Sequence, residues 1–160
     1  MKPRFVVTAV LSLFAFAPSL QAAPKDPNAA ADLLKAASIG DVPLLKSAIR
    51  RGAPLEIRDT QYLFTPLGWA AWRGNIGAVK ALIAAGAKVD ARSVGGEKIL
   101  ATLNLPKVGE VFFAEPSDQP PLSLAIIGNT PNTRAVALEL LRGGANPNVM
   151  SSVGNTPLLY

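Results

Sequence analysis

The sequence predicts an all-α protein: a solenoid of helix-turn-helix units, with a β-hairpin-like insertion between the second and third units. Residues 65–90, TPLGWAAWRGNIGAVKALIAAGAKVD, carry two short helical patterns separated by a turn. The same unit recurs on either side of them. Each helix is too short to be stable alone, so the units need one another.

The chain opens with a different signal. Met1, Lys2, Pro3 and Arg4 make a short positive segment, residues 5–17 are an apolar run, and the small residues of PSLQAAPKDP follow. This tripartite pattern reads as a secretory signal peptide over residues 1–22, too short for a permanent bilayer span. Cleavage is expected after Ala22 or Ala23, since Pro18 hinders a cut after Ala17. An uncleaved anchor or a buried core helix is the alternative. Export to the periplasm follows, with secretion as its variant, and no stable membrane anchor after cleavage.

Removing residues 1–22 removes Lys2 and Arg4 from the 16 basic residues and none of the 11 acidic ones, lowering the balance from +5 to +3. The remaining bases are scattered, and Lys46, Arg50 and Arg51 form the one modest cluster. A nucleic-acid interface needs a dense basic face, so no nucleic-acid partner is expected and these charges read as solvated helix faces. The chain has no Cys and no His. Metal sites built on those ligands are excluded, as are Ser-His and Cys-His nucleophile pairs. Carboxylates, Lys and Tyr remain for acid-base work, with Glu56 and Asp59, or Glu110 and Glu115, as the acid pairs that could approach one another. Such spacing is commonplace in loops, so no catalytic residue, metal or cofactor is assigned.

In residues 65–90 the first helix shows Leu67, Trp69, Ala70 and Ala71, and RGN ends it. The second shows Ile76, Val79, Leu82 and Ile83 at helical spacing, and Gly86 stops it. The alanines at 70, 71, 78, 81, 84 and 85 let two antiparallel helices approach closely. GDVPLLKSAIRRGAPLEI, from Gly40, matches GNIGAVKALIAAGAKVDA, from Gly74, at an offset of 34. A third copy begins at Pro120 with PPLSLAIIGN and continues as AVALELLRGGANPNV.

These residues resemble the ankyrin repeat, whose unit of about 33 residues carries a T-P-L-H-x-A pattern. The resemblance runs over TPLGWAAWRGN…LIAAGAKVDA and LLRGGANPNV…GNTPL. It implies a repeat domain over 23–160: repeat 1 at about 29–60, repeat 2 at about 61–92, an insertion at about 93–118, repeat 3 at about 119–151 and a partial repeat 4 at about 152–160. The motif residues it implies are Thr65, Pro66, Leu67, Ala70, Ala71, Gly74, Gly86 and Ala87 in repeat 2. Their counterparts are Pro121, Leu122, Gly144 and Ala145 in repeat 3, then Thr156 and Pro157. Gly68 and Ser123 stand where the family usually has His, so looser turns are expected, and Gly68 costs about 1 kcal/mol of helix propensity. Lys35 stands at the register of Trp69, a position that faces the preceding repeat. A polar residue there suits the outer face of a first repeat.

Gly86 to Gly144 spans 58 residues rather than about 33. Three extra residues fall in GNTPNTR, where Pro131 and Asn132 make a long turn. The others follow Asp90, at the projecting finger of ankyrin-like repeats. The apolar stretch 98–105, the turn-like PKVG, and Val111, Phe112 and Phe113 read as a β-hairpin. A short helix at 98–103 is the rival. Long insertions are often functional, so Phe112 and Phe113 are candidate contacts, unless they fold back over the stack. Trp72 and Arg73, at the end of the first helix facing the concave groove, are candidates because aromatics and Arg are enriched at binding hot spots. Trp72 alternatively completes a core stripe with Trp69. Arg58 and Tyr62 belong to the same side, with the base of the finger as the alternative site for Tyr62. The resemblance implies binding of another protein, as inhibitor, immunity protein or adaptor. An envelope scaffold and a carboxylate-based hydrolase are the alternatives. The closing GNTPLLY reads as the opening of a fourth repeat.

Overall fold

The computed structural model describes residues 26, 28–93, 118–150 and 156–157. The expected signal peptide, the expected β-hairpin, Glu110, Phe112, Phe113 and Glu115 lie outside these residues, as does most of the expected fourth repeat. Of that repeat, Thr156 is half-buried and Pro157 buried. Among the described residues the regular structure is helical, in three pairs: α1 (Ala29–Ile39) with α2 (Val42–Arg50), α3 (Pro66–Trp72) with α4 (Ile76–Ala84), and α5 (Pro121–Gly128) with α6 (Thr133–Arg142).

Local chemistry explains each start and stop. Asp41 accepts from Leu44 N–H at 2.9 Å and Thr65 from Gly68 N–H at 3.1 Å, so each satisfies an orphan donor of its helix. Pro66 and Pro121 stand in the first turn, where the missing N–H costs nothing. Each pair closes on a glycine at one register: Gly52, Gly86 and Gly144 have φ of 82°, 92° and 92°, a left-handed conformation that L side chains rarely adopt. The residue following each of them, Ala53, Ala87 and Ala145, returns to the core.

The first helices of the pairs pack in order, α1 on α3 and α3 on α5, and so do the second, α2 on α4 and α4 on α6. The same register lines the core throughout. Leu33, Leu67 and Leu122 are buried, as are Ala36, Ala70 and Ala125, and then Ala48, Leu82 and Leu140. Each buried Leu contributes about 1.5–3 kcal/mol relative to an exposed one. The small residues act as expected at Ala70, Ala71 and Ala78, but Ala84 and Ala85 are exposed. They sit where α4 ends, past its last contact turn. Lys35 is exposed, at the register of the half-buried Trp69.

Gly68 has a packing reason beyond its propensity cost. A Cβ there would lie 3.2 Å from Leu124 Cδ1, so the glycine lets α5 close on α3. Ser123, at the same register in α5, is buried, and its hydroxyl has no partner among the described residues.

Hydrogen bonds repeat between the pairs. Asn75 Nδ2 donates to the carbonyls of Ala37 and Ser38 at the end of α1, at 2.8 and 3.1 Å. Asn132 Nδ2 does the same to Gly74 after α3, at 3.0 Å. Glu56 accepts from Lys88 N–H at 2.8 Å, and Asp90, 34 residues later, accepts from Asn146 N–H at 3.1 and 3.2 Å. Arg58 donates to the Arg92 carbonyl, and Arg92 in turn to the Met150 carbonyl. Arg51 joins the base of α1 differently. Its guanidinium bridges the carboxylates of Asp26 and Asp32, so the reading of this cation as part of a solvated face is corrected. Lys46 and Arg50 are exposed.

Candidate protein-binding face

The finger before α3 is organised by one carboxylate. Asp59 accepts from the N–H groups of Gln61 at 2.9 Å, Tyr62 at 2.8 Å and Phe64 at 2.6 Å. Its own N–H donates to the Phe64 carbonyl at 3.1 Å. Closing so tight a loop requires Leu63 to adopt a left-handed φ of 53°, uncommon for a branched residue. Arg58 Nη1 donates to the Leu63 carbonyl at 2.9 Å and helps hold that conformation.

This loop delivers two aromatic rings onto the C-terminal half of α3. Phe64 is buried, and its ring centroid lies 5.2 Å from that of Trp69 and 5.3 Å from that of Trp72. Tyr62 is half-buried, edge-on to Trp69 at 5.6 Å and stacked on Trp72 at 6.4 Å. These separations lie in the range where aromatic pairs add about 0.5–1.5 kcal/mol beyond their buried area. Exposed Arg73 places its guanidinium 5.7 Å from the Trp69 ring centroid, within cation–π range. The result is a half-open aromatic face with a guanidinium at its edge. It can stack apolar and planar groups and pair with an acidic one.

The structure thus brings Tyr62, Trp72 and Arg73 to one face. Trp72 is neither a free surface residue nor a core residue: it is half-buried against both Tyr62 and Phe64. Tyr62 packs on Trp72 while its hydroxyl accepts from Gln61 Nε2 at 3.1 Å. Arg58 has another task, since its Nη1 holds the Leu63 and Arg92 carbonyls. Two members of the cluster were not singled out as contacts from sequence, Phe64 and Trp69. Arg92 was missed as well, although it stands 34 residues after Arg58 and repeats its role.

Of the carboxylates weighed for acid-base work, Glu56 and Asp59 both accept from backbone N–H groups. Among the described residues no group of three or more carboxylates is gathered to hold a metal ion, and no helix is long and apolar enough to cross a membrane. Comparison with family models gives a match to the ankyrin repeat over residues 62–94, the segment that carries this face. No curated protein matches the chain.

Proposed function

Because the chain belongs to the ankyrin repeat family through residues 62–94, we propose that it is an exported binding protein that docks a partner protein on the Tyr62–Trp72–Arg73 face. Ankyrin repeats generally mediate protein–protein interaction and are typically non-enzymatic. The observation that carries the proposal is that face. A finger held rigid by Asp59 presents aromatic surface that is left half-exposed beside a guanidinium. Aromatic and Arg side chains are the anchors most often found at the energetic centre of interfaces.

The three helix pairs are read as a short solenoid, with this face on its concave side and the insertion projecting beside it. Export to the periplasm is proposed from the N-terminal pattern of a positive segment, an apolar run and small residues. An inhibitor, immunity protein or adaptor of an envelope enzyme fits both parts of the reading.

Affinity capture from a periplasmic extract, read by mass spectrometry, tests it. One stoichiometric partner is expected, reduced at least about tenfold by Trp72→Ala, as a lost hot spot requires. Phe112→Ala, run alongside, asks whether the insertion contributes. An empty capture at several salt concentrations, or one indifferent to Trp72, contradicts the proposal.

A further inference from the structure

We infer that residues 94–117 are a graft on an intact finger base, so that the helical stack closes beneath them and does not need them to fold. The evidence is a match between two loops of very different length. The short finger has four residues, 60–63, between Asp59 and Phe64; the long one has 25, 94–118, between Ser93 and Gln119.

Their bases coincide. Asp59 N–H donates to the Phe64 carbonyl at 3.1 Å, and Ser93 N–H to the Gln119 carbonyl at 3.0 Å. Phe64 N–H returns to the Asp59 carboxylate at 2.6 Å, and Gln119 N–H to the Ser93 hydroxyl at 2.8 Å. The residue before each closing position is left-handed, with φ of 53° at Leu63 and 56° at Asp118. An arginine of the same register holds it from below: Arg58 by the Leu63 carbonyl, Arg92 by the Asp118 carboxylate at 3.2 Å.

An insertion that formed part of the core would hold the flanking pairs apart. Instead α3 and α5 meet as closely as glycine allows. A Cβ on Gly68 would lie 3.2 Å from Leu124, and one on Gly128 would overlap the Trp72 carbonyl at 2.3 Å. Lengthening a closed loop about sixfold costs only about fifteenfold in the folding equilibrium, so a stack so joined tolerates the segment. Fold and whatever the segment recognises therefore reside in different residues. The inference stands apart from the binding proposal, because melting reads one and partner capture reads the other.

The test replaces residues 94–117 of the full chain with Thr-Gln-Tyr, the sequence of residues 60–62. The shortened chain is expected to melt in one cooperative transition, at the same midpoint or up to about 5 °C above it. A midpoint more than about 3 °C lower, or a second transition, overturns the inference. Ser93→Pro removes both the N–H and the hydroxyl that close the base. It is expected to lower the midpoint in the full and shortened chains alike, and no effect in the shortened chain overturns the inference too.

Discussion

The second helix pair is approached through Phe64, Thr65, Pro66, Leu67 and Gly68, the third through Gln119, Pro120, Pro121, Leu122 and Ser123. In the second, the Thr65 hydroxyl caps Gly68 N–H. In the third, Pro120 stands in the place of Thr65 with no side-chain cap, and the Ser123 hydroxyl finds no partner among the described residues. At the other end of the helix, the second pair has exposed Arg73 where the third has Gly128, pressed against the Trp72 carbonyl. The loops leading into both pairs nonetheless share the same closure and the same left-handed residue before it. Side chains that serve one repeat are thus exchangeable, because the backbone bonds of the loop keep the geometry. Residues at the contact between repeats are not, because a neighbouring backbone occupies the space.

Substitutions on either side of this contrast have different expected sizes. Gly128→Ala separates two opposing effects. Helix propensity alone favours Ala by about 1 kcal/mol. The new Cβ would meet backbone at 2.3 Å, and overpacking of this kind costs about 3 kcal/mol or more. Packing wins, and chemical denaturation is expected to show net destabilisation of at least about 2 kcal/mol; a stabilised variant breaks the comparison. Thr65→Ala removes one cap and is expected to cost about 1 kcal/mol. Ser123→Ala removes an unpartnered hydroxyl at nearly constant volume, so it is expected to stabilise by up to about 1 kcal/mol. A cost at Ser123 as large as that at Thr65 would mean that the Ser123 hydroxyl is hydrogen-bonded in the folded chain.

The smallest effect belongs to the first pair among the described residues. There Asn28 N–H, and after it the Arg51 guanidinium, hold the Asp26 carboxyl below its ordinary value. A lowered carboxylate contributes stability above its unfolded-state pKa and loses it as pH falls through the folded one. Asp26→Asn is therefore expected to lower slightly the neutral plateau of a plot of melting midpoint against pH and to converge with the parent chain in acid, which flattens the acid limb.

Much of the helical part was legible from residue register. The offset of 34 relates Gly40 to Gly74 and Gly52 to Gly86, and Leu67, Val79 and Leu82 occupy the buried face that their spacing implies. Tyr62, Trp72 and Arg73 were legible as one side of the molecule. Their packing was not, because Phe64, which sets it, reads in sequence as an ordinary apolar residue before Thr-Pro. The internal bonds of Arg58 were not legible for a related reason: in sequence a loop arginine looks free, and only the structure shows the two carbonyls it holds. Gly128 carried no sequence signal, since the Trp72 carbonyl that excludes a side chain there lies more than fifty residues away in the chain.

The central claim is that a partner protein docks where Tyr62, Trp72 and Arg73 converge. Site-specific photo-crosslinking in living cells tests it most directly, with the photoreactive residue at position 73 or, as control, at position 46. Both Arg73 and Lys46 are exposed, so neither substitution disturbs the core, but Lys46 lies on α2, in the other row of helices. The account predicts one discrete protein adduct from position 73 and none from position 46. Adducts from position 46 alone, or from neither position, would contradict it.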